Sequence, residues 1–200
     1  INNSKMIICH IGSGASISAV VNGKSVDTSM GMTPLEGLVM GTRSGDIDPA
    51  IVEFICNKEG KSVSEVLTML NKKSGVLGIS GLSNDYRDLL EGEENGNQDA
   101  HNALDVLVYR IIKYIGAYHV AIGGADAIAL TAGAGENNFV VRGRIVEGLS
   151  ALGIKLNEAA NTVRGEELLL STPDSTIPVW VVPTNEELRI ARETAAVVEK

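Results

Sequence analysis

Residues 6–10, Met-Ile-Ile-Cys-His, run straight into Gly12-Ser13-Gly14, and a second β-like run follows at 17–21 before Asn22-Gly23 and a third run at 24–27. A short apolar run that ends in glycine and serine reads as a buried strand followed by a tight turn. Asn-Gly between two such runs signals a hairpin, because both central residues of a type I′ turn need positive φ. The chain therefore opens on strand, turn, strand, turn, strand, and no helix follows the glycine turn. A glycine-rich turn between two strands can offer bare backbone N–H groups to a phosphate. That arrangement differs from the two commonest nucleotide-binding loops, both of which feed a helix.

Gly23-Lys24-Ser25 and Gly60-Lys61-Ser62 each look like the end of a Walker A loop, but the glycine required five residues upstream is replaced by Ser18 and Ile55. Neither is a P-loop. Ser62 with Glu65 instead spells a capping box at the start of a helix.

The chain has 200 residues, 44% of them hydrophobic and only 4% aromatic, so a single well-packed α/β domain must build its core from Ile, Val, Leu and Ala. A net charge of −8 without a basic cluster argues against nucleic acid and anionic membranes as partners. No apolar run reaches membrane-spanning length and no signal peptide is seen. Cys9 and Cys56 read as reduced core thiols of a cytoplasmic protein rather than a disulfide. Ile1 is not an initiator residue, and with a strand starting almost at once the chain reads as a piece of a longer polypeptide.

Beyond the opening strands, residues 28–46 show no sustained period and read as an irregular, functional connection. Asp48 as N-cap and Pro49 in first position start a helix to about Lys58, and another spans about Val63–Asn71. Residues 75–83 read as a glycine-punctuated connector. The longest helix is expected over 102–122, with Leu104, Leu107, Val108, Ile111, Ile112 and Ile115 on one face and Gly123-Gly124 at its end. A buried strand at 127–131 leads through Gly133-Ala134-Gly135-Glu136-Asn137 into a helix over 138–152. Strands are expected at 167–170 and 177–182, and a last helix runs from Thr184 to the C-terminus. Strands alternating with helices make a layered α/β domain.

Four segments carry candidate chemistry. His10 beside Gly12-Ser13-Gly14 either donates to an oxyanion or is a satisfied core histidine. Arg43, between Gly41 and Gly45, either grips carboxylate and phosphoryl oxygens with its planar fork or pairs on the surface with Asp46 or Asp48. The 133–137 turn lacks the third glycine of a dinucleotide fingerprint, since Asn138 holds that place; it suits an adenosine lying on glycine backbone, or is merely a strand–helix connection. Thr184 and Glu187 spell a second capping box, which leaves Glu186 either for a metal-bound nucleotide or as favourable charge in a helix's first turn. His101 and His119 read as surface and helix-packing residues.

Taken together, Cys9–Ser16, Ser25–Gly37, Met40–Pro49, Ser83–Asp88, and Thr131–Asn137 with Pro183–Leu188 resemble, in order and interval, the second half of the acetate and propionate kinases of the acetokinase family. The resemblance implies an actin/Hsp70/hexokinase-like (ribonuclease H-like) ATPase fold, with residues 1–200 as the second domain of a two-domain kinase and the first domain absent. It implies reversible transfer of the γ-phosphoryl of ATP to acetate, giving acetyl phosphate and ADP. A short-chain acyl kinase of other preference, such as propionate, and an isolated nucleotide-binding or dimerisation module stand as alternatives.

On the same resemblance, His10, Ile11, Gly12, Ser13, Gly14, Asp85, Tyr86, Arg87, Gly133, Ala134, Gly135, Glu136 and Asn137 would contact ATP. Arg43 and His10 would be catalytic, Pro34 would wall the acyl pocket, and Glu186 would place Mg²⁺ or Mn²⁺. Family members dimerise through this half, and the helix at 102–122 is a plausible contributor. Ser13 stands where the family usually has asparagine, and Ala134 where isoleucine is common. With the first domain's groups missing, the chain alone is expected to turn over negligibly.

Overall fold

The computed structural model describes residues 2–198. The opening strands form as their turn chemistry requires. Strand β1 (Lys5–Ile11) pairs antiparallel with β2 (Ala15–Val21), and β2 with β3 (Lys24–Thr28). Asn22 and Gly23 both adopt left-handed backbone angles, φ 53° and 74°, as a type I′ hairpin demands. Strand β4 (Ala127–Thr131) lies parallel beside β1. The short β5 (Leu168–Leu169) and β6 (Val179–Val181) complete the sheet, β6 parallel to β4 and β5 antiparallel on β6.

The six-stranded order is β3-β2-β1-β4-β6-β5. Parallel β1, β4 and β6 are thus neighbours that finish at one edge, with His10 beside Thr131 and Leu130 beside Val181. Beyond the carboxyl ends of such strands lies the usual crevice of an open α/β sheet.

The helices are α1 (Ala50–Glu59), α2 (Val63–Lys72), α3 (Gly75–Ser80), α4 (Tyr86–Glu94), α5 (Gln98–Ala121), α6 (Ala132–Asn137), α7 (Phe139–Gly148), α8 (Glu158–Asn161) and α9 (Glu186–Val198). Leu104, Leu107, Ile111 and Ile115 of α5 join Ile7, Cys9, Ile11 and Ile17 of the sheet in one buried core. The apolar stripe of α5 thus packs on its own sheet. Helices α3, α4 and α7 pack in turn on α5.

Several caps are those the sequence spells. Asp48 Oδ1 accepts from Ala50 N at 3.0 Å just ahead of α1, and Ser62 and Glu65 exchange both bonds of their capping box. Other expectations need correction. Residues 75–80 are helical rather than a connector, and α4 was not foreseen at all. Helix α5 starts at Gln98, because Asn97 Oδ1 accepts from Asp99 N and Ala100 N.

Residues 132–137 are themselves a helix, and α7 stops at Gly148 before a 3₁₀ turn at Ser150–Leu152. Helix α9 begins at Glu186, not Thr184. Asn185 Oδ1 accepts from Leu188 N at 3.1 Å, while the Thr184 hydroxyl is bonded to Thr131, so no Thr184–Glu187 box forms. Of the expectations at the chain ends, Ile1 and the last two residues lie outside the described residues. Both cysteines are free; Cys9 is buried, but Cys56 is half-buried on α1, which buries none of its residues.

Candidate functional site

The turn from β1 to β2 is closed by Gly12 N donating to Gly14 O at 3.2 Å. Neither glycine is there for a left-handed angle. A Cβ on Gly12 would sit 3.2 Å from Gly14 O, and one on Gly14 would sit 3.4 Å from Arg43 Nη1. Gly14 thus lies against the Arg43 guanidinium, at a distance where even a Cβ would make only ordinary contact. His10 points away from the buried Cys9 and Ile11, with Nε2 3.9 Å from a Cβ placed on Gly12. Its side chain makes no hydrogen bond among the described residues, so it is not a satisfied core histidine.

Arg43 is held where it is by a well-bonded loop. Gly41 N donates to Ser13 O at 3.1 Å, and Met40 N to Arg43 O at 3.1 Å. The start of α3 donates back, Val76 N to Met40 O and Leu77 N to Gly41 O. Gly75 is required here, since at φ 62° a Cβ would lie 2.2 Å from Met40 O. Arg43 Nη1 reaches the Pro34 carbonyl at 3.4 Å, which brings the expected acyl-pocket residue to the same place. The surface-pair reading of Arg43 fails. Asp46 instead accepts from Arg110 at 2.6 Å and from the Tyr114 hydroxyl at 2.8 Å, and Arg43 has no carboxylate partner among the described residues.

The second strand end is β4. Ala132 follows it in a left-handed conformation, φ 66°, which strains an ordinary residue. Glu136 Oε1 accepts from Ala132 N at 2.8 Å and from Thr184 N at 2.7 Å, so it braces the exits of β4 and β6 together. Behind α6, the fully buried Arg142 donates to the carbonyls of Glu136, Asn161 and Val163 and to Asn161 Oδ1. Burial and the nearby Arg164 charge pull its pKa below the usual guanidinium value.

The third strand end, β6, leads through Thr184 to Glu186 at the exposed start of α9. The Glu186 carboxylate makes no hydrogen bond or ion pair among the described residues.

Across from α6 stands α4. Asp85 caps it by accepting from Arg87 N at 2.9 Å, and pairs with the Arg87 guanidinium at 2.5 Å. Those hydrogen bonds hold the Asp85 carboxyl down at about 2. The Tyr86 hydroxyl donates to Gly12 O at 3.1 Å, and burial pushes its pKa up to about 12. This tyrosine joins α4 to the glycine turn.

Between these walls opens a cleft of about 850 Å³. Of the residues expected to bind ATP, Gly12, Ser13, Asp85, Tyr86, Arg87, Gly133, Ala134 and Asn137 line it. His10, Gly14 and Arg43 lie outside that lining. The Ile11 side chain is buried in the core, Gly135 packs against Leu130, and Glu136 is spent on its brace, so those three do not face the cleft.

The structure adds lining residues that sequence reasoning missed: Asn84, Leu90, Glu91, Glu94, Phe139 and Arg164 among them. The Arg164 guanidinium lies 5.3 Å from the centre of the Phe139 ring. Phe139 had one available signal, as one of only two phenylalanines, placed directly after Asn137-Asn138.

The model of the family described as "Acetokinase family" matches residues 1–192. The chain belongs to the acetokinase family. It is 56% identical over 198 residues to an acetate kinase of Lachnoclostridium phytofermentans, covering 99% of this chain and 50% of that protein. With an acetate kinase of Dictyoglomus thermophilum it shares 60% identity over 196 residues, 98% of this chain and 49% of the other.

The chain thus spans about half the length of the curated relatives it matches. Its α/β fold is that of solved family members. The Porphyromonas gingivalis acetate kinase superposes with TM-score 0.93 at 44% identity over 98% of this chain and 50% of that one. A propionate kinase from Francisella tularensis gives TM-score 0.89 at 42% identity, over 96% and 49%. No helix among the described residues is long and apolar enough to cross a membrane.

Proposed function

We propose that this chain is the nucleotide-binding second domain of a two-domain acyl kinase that transfers the γ-phosphoryl of ATP reversibly to acetate. One observation carries the reading. Three parallel neighbouring strands deliver the glycine turn, the 132–137 helix and Glu186 to one sheet edge, and an arginine without a carboxylate partner lies on the turn.

In the reaction an acetate oxygen attacks the γ-phosphorus while the bond to the β–γ bridging oxygen breaks, leaving acetyl phosphate and ADP. Such transfers need positioning and charge neutralisation more than covalent help. The turn amides of Ser13 and Gly14 hold the polyphosphate, the Gly12 amide being engaged by Gly14 O. Arg43 is half-buried against Gly14 and Pro34 carbonyl oxygen, so its fork is free to meet the equatorial oxygens of the moving group. His10 adds a donor beside the turn.

The far end of the cleft, with Gly133 open and Glu91 and Glu94 facing it, suits adenosine, since carboxylates accept from hydroxyls and repel phosphates. No cluster of three or more metal-ligating side chains occurs among the described residues. Magnesium usually takes one or two protein carboxylates with phosphates and water, so the unpaired Glu186 fits that role. Magnesium would neutralise β- and γ-oxygen charge when bound. A cytoplasmic homodimer acting on ATP and acetate belongs to the same reading.

The test is calorimetric titration of the chain with Mg·ATP, beside an acyl-phosphate assay. Binding without turnover is expected. Gly133→Leu should abolish binding while leaving the fold intact, because a Cβ at Gly133 meets nothing within 4 Å. An absence of ATP binding, or a Gly133→Leu variant that binds normally, would overturn the reading. Turnover by the chain alone would show that its own residues complete the catalytic site.

A further inference from the structure

Behind the cleft, three helices contribute to one charged cluster. Glu93 of α4 is next in sequence to the cleft-lining Glu94, and Arg144 of α7 lies four residues beyond the cleft-lining Val140. Arg144 Nη2 contacts Glu93 Oε2 at 2.7 Å. This ion pair joins the helix of one wall directly to the helix of the other. His101 of α5 stands between, its Nδ1 2.5 Å from Glu93 Oε1 and its Nε2 3.1 Å from Asp105 Oδ2. Arg144 Nη1, buried without a hydrogen-bond partner, lies 3.8 Å from Asp105 Oδ1.

Burial opposes charge on Glu93, but the bonds from Arg144 and His101 outweigh it and hold the carboxyl below its ordinary range. The groups facing His101 are thus Glu93 from α4, Asp105 from its own helix and Arg144 from α7.

The geometry asks something specific of the imidazole. A neutral ring carries one N–H and would aim a lone pair at one of its two carboxylates; only the imidazolium donates to both. Two carboxylates are likewise balanced by Arg144 only if His101 is charged.

Resting on the nucleotide reading of the cleft, we infer that Glu93, His101, Asp105 and Arg144 form a proton-dependent tie that sets the spacing of the two cleft walls and so tunes nucleotide affinity. With His101 protonated the tie is complete and the cleft is set for binding. Once His101 is neutral, one carboxylate is left facing a lone pair, α4 loosens from α7, and affinity falls. These are positioning residues and touch no ligand. His101 is 43% exposed, so solvent limits the coupling to about threefold.

The test measures the Mg·ATP dissociation constant of the chain by calorimetry from about pH 5.5 to about pH 8.5. ATP itself titrates there, so the readout is the ratio of variant to parent at each pH, from which the ligand's own titration cancels. His101→Gln should match the parent at the high end and bind about threefold more weakly at the low end. Asp105→Asn, which needs donation from only one ring nitrogen, should bind as tightly as the parent at low pH and keep that affinity at high pH. A ratio that stays constant with pH in both variants would overturn the inference while leaving the nucleotide reading intact. A chain that binds no ATP at any pH overturns both.

Discussion

Arg43 and Arg142 both lack a carboxylate partner among the described residues, and their settings could hardly differ more. Arg142 is fully buried, and its donors go to three backbone carbonyls and the Asn161 side chain. Arg43 is half-buried, leans on one carbonyl and the Met40 sulfur at long range, and keeps most of its donors for something else. The first is consumed in holding α6 against the end of α8 and the residues just after it. The second is held in place by backbone bonds around it and then left unspent. A guanidinium whose surroundings are ordered while its own donors are free is arranged for a ligand.

The sharpest attempt to break that contrast is Arg43→Ala. It should lower acyl-phosphate formation by about a thousandfold in the two-domain enzyme, the order expected when a transition-state arginine is removed. The same change should alter the stability of the chain by no more than about 0.5 kcal/mol in urea unfolding. A large loss of stability would mean that Arg43 is structural like Arg142.

Arg142→Met should do the reverse. It leaves the Glu136, Asn161 and Val163 carbonyls without this donor and should reduce the unfolding free energy by about 3 kcal/mol, read from the urea midpoint.

Asp85 sharpens the picture on the α4 side. Its pKa is depressed to about 2 from an ordinary 3.8, so its capping contribution is complete above the ordinary value. That contribution is lost as pH falls from 3.8 toward 2, and amide exchange at the start of α4 should accelerate over that interval. Asp85→Asn, still a good cap, should remove the pH dependence.

The smallest effect is expected at Ala132→Gly. Relief of the left-handed strain outweighs the added chain entropy of glycine, for a gain of about 0.5 kcal/mol in thermal unfolding.

The parts legible in the sequence were those written in short-range chemistry. Asn22-Gly23, the glycine turn, the Ser62–Glu65 cap and the apolar face of α5 each follow from a few neighbouring residues. Resemblance alone groups residues 10–14, 43 and 133–137; the structure brings Gly12, Ser13, Gly133, Ala134 and Asn137 to one cleft and leaves His10, Gly14 and Arg43 outside its lining. What stayed hidden depends on distant partners. Helix α4 buries only Tyr86 and Leu89, too few apolar positions to announce a period. Helix α3 contains two glycines, and its start is fixed by the Met40 and Gly41 carbonyls from another loop. Thr184 spells a cap, but Thr131 and Glu136 claim its hydroxyl and amide, so Asn185 takes the role. Nothing local reveals that Glu136 joins two strand exits.

The two thiols offer a built-in clock for motions of this domain. Cys9 sits in the middle of β1 with no solvent contact, and burial pushes its thiol far from the reactive thiolate form. Cys56 stands partly in water on a helix that buries nothing. An alkylating reagent should therefore tag Cys56 promptly and Cys9 only when the central sheet parts, so the lag between the two tags times the rarest opening of the molecule.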